Sequence, residues 1–353
     1  MKKYYILFLY TALALVAAAC GKEKEIGPNE ETQRFVEAWM LVHYPEIQPT
    51  ELGAYVLEYD SVDDKDAKEI IIDTGHVYVS YTVTDLKGNI TSYTEAEQAT
   101  QLREYDRTYY YGPGFWSTSK TSTIAGLIEA MKGMKVGEHK KVMIPRWLQT
   151  YKDTDLAGYL ATSSSGSESI YDFTIVDYTK DVNQWQRDSI IRWISGYVDE
   201  NGGKWELPEK LDTNFFFHTI NPGVIPAVKE DKDEEEWKMP KDTTVYINYT
   251  GMLLNGQVFD TTIERVAKDN YIYSSSTEYT PKPVSWGEKA SEIKLNSNSV
   301  ISGFSQILWQ MRPGEKAVGV FTSALGYTSS GSGRRIPGYS PLLFEIELVD
   351  KPE

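Results

Sequence analysis

Val300-Ile301-Ser302-Gly303-Phe304-Ser305-Gln306-Ile307-Leu308-Trp309-Gln310-Met311, followed by Arg312-Pro313-Gly314-Glu315, is the stretch around which the rest of the chain can be read. Phe304, Ile307, Leu308 and Met311 recur at i, i+3, i+4 and i+7, the spacing that gathers side chains on one face of a helix. Arg312-Pro313-Gly314 then predicts the end of that helix, since proline and glycine both interrupt it. Beyond the stop, Ala317 to Phe321 predicts a strand and Gly326-Tyr327-Thr328-Ser329-Ser330-Gly331 a loop. Leu342, Phe344, Ile346 and Leu348 alternate with Leu343, Glu345 and Glu347, so one face of the last strand is apolar. A helix, a loop and a strand are therefore expected around one apolar pocket.

Working upstream, Val245 to Asp260 reads as a hairpin, with Asn255-Gly256 as the turn dipeptide that tolerates positive φ. Asn214 to Ile220 supplies a strand before it. The order and spacing of V-I-x-G-F from Val300, M-x-P-G-E from Met311, G-Y-x-x-x-G from Gly326, Ile336-Pro337 and L-x-F-E-I-E-L from Leu342 resemble the FKBP-type peptidyl-prolyl isomerases. The resemblance runs from about Phe215 to Asp350. It implies an α+β fold in which a curved antiparallel sheet, a half-barrel, wraps on a short helix. Carried position by position, it implies a substrate pocket of Tyr249, Phe259, Val300, Ile301, Phe304, Ile336 and Phe344, with Asp260 and Tyr327 as the catalytic polar groups. No cofactor or metal is implied. Three positions depart from the family pattern: Phe304 stands where tryptophan is usual, Ser291 where an aromatic wall residue is common, and Thr328 where glycine follows the loop tyrosine. Taken alone, Tyr249, Ile301 and Phe344 read more readily as core, whereas Asp260 at a strand end and Tyr327 beside a Gly/Ser loop are less well explained by packing. Arg334 and Arg335 in the same loop are expected to be solvated.

The first half of the chain reads as a worn copy of the second. Val77 to Thr82 matches Val245 to Thr250, and Gly88 falls where Gly256 does. Ile124-Ala125-Gly126-Leu127, Met131, Met134 and Gly137-Glu138 follow the spacing of Ile301-Ser302-Gly303-Phe304, Leu308, Met311 and Gly314-Glu315. The copies differ at the implied site: Thr91 and Ser92 answer Phe259 and Asp260, Leu127 answers Phe304, and Thr150 answers Tyr327, with Tyr151 one place off. Each copy carries a long Tyr-rich insertion, residues 93–122 and 262–291, read as a lid or binding surface. A helix is predicted before each copy, from Thr32 to Tyr44 with Phe35, Val36, Trp39, Met40 and Val42 inward, and from Val182 to Val198. The expected architecture is thus two tandem FKBP-like domains, each preceded by a helix: residues 30–180, degenerate, and residues 181–353, catalytic.

The chain has 353 residues, 41% hydrophobic and 13% aromatic, enough to bury a core in each half. Its formal charge of −15 argues against nucleic acid as the partner. Met1-Lys2-Lys3, the apolar run Tyr4 to Val16 and Ala17-Ala18-Ala19-Cys20 have the three regions of a secretory signal peptide, residues 1–19. Cys20, the only cysteine, resembles a bacterial lipobox cysteine with Ala17 in place of leucine. The expectation is a lipid-anchored protein tethered by residues 20–29 in the cell envelope, at the outer membrane and facing the periplasm. His43, His76, His139 and His218 show no metal-ligand spacing, and no P-loop, G-x-S-x-G elbow or dinucleotide fingerprint is present. The reading is a prolyl isomerase acting on proline-containing segments of exported proteins as they fold. The alternative is a non-enzymatic adaptor binding peptides or glycans.

Overall fold

The structure, a computed structural model, describes residues 28–211, 213–224 and 239–352. The apolar leader, Cys20 and the acidic run 229–236 lie outside the described residues. Among the described residues, no helix is long and apolar enough to cross a membrane.

In the first half, α1 (Glu30–His43) precedes β1 (Tyr55–Asp60), β2 (His76–Thr84), β3 (Ile90–Tyr93), α2 (Ala96–Gln101) and β4 (Gly114–Ser117). These are followed by α3 (Ala125–Met131), β5 (His139–Ile144), α4 (Leu156–Ala161) and β6 (Ser169–Thr179). In the second half, α5 (Val182–Ser195) leads into β7 (Phe215–Asn221), β8 (Thr244–Leu253), β9 (Val258–Thr261), α6 (Glu264–Asp269) and β10 (Lys282–Ser285). The short strands β11 (Lys294–Leu295) and β12 (Asn298–Ser299), then α7 (Ser302–Gln310), β13 (Lys316–Phe321) and β14 (Leu342–Val349), complete it.

The strands form two sheets with the same internal order. The first runs β1-β5-β6-β2-β3, with β4 also on β2; the second runs β7-β13-β14-β8-β10-β11-β12, with β9 also on β8. Every pairing is antiparallel, so the fold is α+β with two FKBP-like sheets, each closed on its own short helix. Small details repeat as well. Gly88 and Gly256 turn the two hairpins at φ 84° and 87°, a conformation that glycine adopts without steric cost. Glu138 and Glu315, both buried, each accept a hydrogen bond from the backbone N–H three residues earlier, at 2.8 Å from Lys135 and 2.7 Å from Arg312.

The periodicity of the opening stretch is realised: Phe304, Ile307 and Leu308 are buried on α7, and Met311 closes its end. They pack with Phe321, Leu342, Phe344, Ile346 and Leu348 inside the second sheet. Leu343, in the otherwise polar series of β14, is also buried. Together with Val318 and Val320 it faces outward under Ile190 and Ile194 of α5, so both faces of this sheet are covered.

The first leading helix departs from its expected face. Val36 and Met40 are buried, but Phe35 is 53% and Val42 77% exposed. The five apolar positions span more of the helix circumference than one contact with the sheet can cover, so the outer members of the set stay in solvent. Each Tyr-rich insertion folds into a helix and a strand of its own, α2 with β4 and α6 with β10, rather than an open loop.

Candidate active site

Alternation along β8 turns Tyr249 toward the same side as Phe344 on the neighbouring β14, and the hairpin brings Phe259 and Asp260 of β9 beside them. The chain entering α7 adds Val300 and Ile301, the helix adds Phe304, and the loop between β13 and β14 adds Tyr327 and Ile336. All nine implied residues line one pocket of about 560 Å³, together with Leu295, Ser299, Ser332 and Arg335.

Phe344 is the hub of its rings. Phe304 meets it edge-on at 5.0 Å and Phe259 at 5.6 Å, Phe321 stacks on it at 6.0 Å, and Tyr249 leans on it at 6.3 Å. Tyr249 also meets Phe304 edge-on at 5.4 Å. Such edge-to-face pairs set electron-poor ring edges against electron-rich faces and fix the rings in place. Gly251 makes this possible: a Cβ there would lie 2.6 Å from Phe259 and 2.7 Å from Phe344.

The polar rim is equally ordered. The Tyr249 hydroxyl donates to Asp260 Oδ2 at 2.8 Å, which aims an otherwise exposed carboxylate. Burial, and then the Asp260 charge, push the Tyr249 hydroxyl well above the ordinary phenol range. Burial and Asp260 also raise Tyr327, so both tyrosines stay protonated donors at neutral pH. Among the described residues the Tyr327 hydroxyl has no hydrogen-bond partner of its own, which leaves its proton for a guest.

Several expectations at the rim are corrected. Arg335 is not simply solvated: it lines the pocket, and its Nη1 donates to the Phe259 carbonyl at 3.4 Å. Arg334 is exposed, as expected, and its guanidinium also lies against the first half, with its Cζ 4.6 Å from the centre of the Tyr109 ring. Ser291 is exposed in a short turn outside the pocket, and Leu295 on the small β11–β12 hairpin occupies the wall instead. Residues 262–291 contribute no side chain to the pocket lining. Leu295 and Ser299 carry no periodic signal in the sequence and become visible only once the hairpin folds over.

Thr328 takes φ 53°, the left-handed region that the family's glycine would occupy freely. A β-branched residue there costs roughly 1–2 kcal/mol, partly offset by glycine's greater freedom in the unfolded chain. Thr328→Gly should therefore stabilise the protein by about 0.5–1 kcal/mol in thermal unfolding. Equal or lower stability would show that the loop carries no strain at this position.

The first half has a matching hollow of about 440 Å³, lined by Tyr81, Thr91, Ser92, Trp116, Leu127, Tyr151 and Tyr171 among others. Tyr151, rather than Thr150, lines it. Trp116 lies 4.8 Å from Tyr81 and 6.3 Å from Tyr171, so three aromatic rings cluster in this hollow. Its lining contains no carboxylate.

Comparison with known proteins places the second half in a family. The model of the FKBP-type peptidyl-prolyl cis-trans isomerases matches residues 236–349. FK506-binding protein 2 of Dictyostelium discoideum is 33% identical over 123 residues, 35% of this chain and 76% of that protein. A probable FKBP-type peptidyl-prolyl cis-trans isomerase of Haemophilus influenzae is 30% identical over 107 residues, 30% of this chain and 34% of that protein. The FKBP-type 22 kDa peptidyl-prolyl cis-trans isomerase of Escherichia coli is 29% identical over 156 residues, 44% of this chain and 57% of that protein. The chain thus spans about a third and somewhat over half of the two bacterial relatives.

Proposed function

We propose, because this chain belongs to the FKBP-type peptidyl-prolyl cis-trans isomerase family, that its second domain, residues 181–353, catalyses rotation about X-Pro bonds in the pocket centred on Phe344. The observation that carries this reading is the convergence of nine side chains, from three strands, a helix, the segment leading into that helix and the loop between β13 and β14, on that one pocket.

The chemistry asks for little else. The planar amide resists rotation by about 18–20 kcal/mol because twisting it forfeits resonance. The twisted amide is less polar than the planar one, so a hollow of rings that excludes water favours it over the ground state. Phe304, Phe259, Phe344 and Ile336 provide that hollow for a prolyl ring. The Tyr327 hydroxyl donates to the carbonyl oxygen of the residue before proline. Asp260, fixed by Tyr249, supplies a charge whose direction does not change as the amide turns.

In this reading the first domain, residues 30–180, binds extended segments without turning them over. It keeps an aromatic hollow but has Thr91 and Ser92 in place of Phe259 and Asp260. The protein is lipid-anchored through Cys20 at the outer membrane, faces the periplasm, and serves proline-containing segments of exported proteins. The leader and the Ala17-Ala18-Ala19-Cys20 sequence support that address. Cys20→Ser should leave a protein that partitions into water rather than detergent; a wild-type protein free of lipid would refute the anchor.

Acceleration of a proline-limited refolding reaction by the full chain tests the enzymatic reading. Peptide binding without any acceleration would favour an adaptor instead.

A further inference from the structure

The loop between β13 and β14 folds back on itself: Ser332 and Ile336 pair in a small antiparallel bridge that leaves Arg334 at the tip. One flank of this loop, Arg335 and Ile336, lines the prolyl pocket. The other flank is gripped by the first domain. The Arg334 carbonyl accepts from the Tyr110 N–H at 2.8 Å, Arg334 Nη2 donates to the Tyr93 hydroxyl at 3.0 Å, and the guanidinium packs on the Tyr109 ring. Further along, the Tyr339 ring meets Phe115 at 5.5 Å and His76 at 5.4 Å. Two more contacts hold the same seam: Gln257 Nε2 donates to the Thr108 carbonyl at 3.0 Å, and Arg107 lies over the Tyr271 ring at 3.8 Å. Residues 93–115 of the first insertion therefore form a platform for the loop.

We propose that the first insertion is a positioning element for the second domain's site, with Tyr93, Tyr109 and Tyr110 holding Arg334 so that Ile336 and Arg335 stay at the pocket wall. This inference rests on the pocket being the substrate site. A free loop would have to be ordered by each incoming peptide at an entropic cost, whereas a gripped loop has met that cost beforehand. The effect belongs to substrate binding rather than to the turning step, because none of the three tyrosines touches the pocket.

The test uses the full chain, with Tyr93→Phe and Tyr109→Ala combined, a proline-containing peptide as substrate, and amide hydrogen exchange as a readout independent of activity. The double variant should raise KM about three- to tenfold while kcat stays within about twofold. Amides 332–339 should exchange faster, while those of β14 stay as protected as in the wild type. Tyr109→Phe alone, which keeps the ring and leaves the Tyr93 hydroxyl in place, should keep the wild-type KM. Unchanged KM and exchange would overturn the proposal, as would faster exchange throughout the second domain. A wild type that does not catalyse would defeat the reading of the pocket, and the exchange experiment would still decide whether the platform orders the loop.

Discussion

An alanine in place of Phe344 should destabilise the second domain by about 3–5 kcal/mol, the usual cost of removing a buried phenylalanine ring and leaving its space. The expectation is at the full value because four rings rest on this one: Phe304, Phe259, Phe321 and Tyr249 all lie within about 6.3 Å of it. Gly251 adds no side chain that could move into the gap. Denaturant unfolding of the full chain should show the transition of the second domain shifted to lower concentration. Phe344→Leu, which keeps most of the volume, should lose far less stability yet still widen the pocket wall. A loss below about 1 kcal/mol for the alanine variant would mean that the ring cluster reorganises freely and does not hold the site.

The second large effect concerns rate rather than stability. Asp260→Val and Tyr327→Phe should each lower kcat/KM about tenfold, corresponding to roughly 1.4 kcal/mol of lost transition-state stabilisation. Asp260 is exposed, so its loss leaves the core intact. Asp260→Asn separates its two contributions, since the amide can still accept from the Tyr249 hydroxyl while the charge is gone. If aiming alone matters, the asparagine variant keeps its rate; if the charge matters, it falls with the valine variant. The pH dependence follows from the raised tyrosines. Both phenols titrate above their ordinary value of about 10, so neither loses its proton between about pH 7 and 9, and the rate should not decline there on their account. Rates unchanged in both Asp260→Val and Tyr327→Phe would leave the pocket as a binding site only.

Much of this was legible in the residues because the governing signals are local. The stripe of Phe304, Ile307, Leu308 and Met311 needs only the helical period, and the alternation from Leu342 to Leu348 needs only the pleat. The repeat was legible because turn glycines and the two Gly-Glu pairs meet the same backbone demands in both halves. What escaped depends on contacts distant in sequence. Arg334 is solvent-exposed, as expected, but its contacts were not legible because its partners, Tyr93 and Tyr109, lie in another domain. Leu343 looked like part of a polar face because α5 covers that side from outside the sheet. Phe35 and Val42 looked buried because a count of apolar positions does not say how wide a contact the sheet offers. At Tyr151 a one-residue shift in a loop, where nothing enforces a period, decided which side chain reaches the hollow.

The central claim is that the rings around Phe344 hold a prolyl residue while its amide turns. Exchange between the cis and trans forms of a short X-Pro peptide, followed by NMR with catalytic amounts of the full chain, measures that turning without a client protein or protease. Faster exchange with the wild type, weakened by Tyr327→Phe and by Asp260→Val while both variants remain folded, is the predicted result. An exchange rate no different from that of the peptide alone would contradict it.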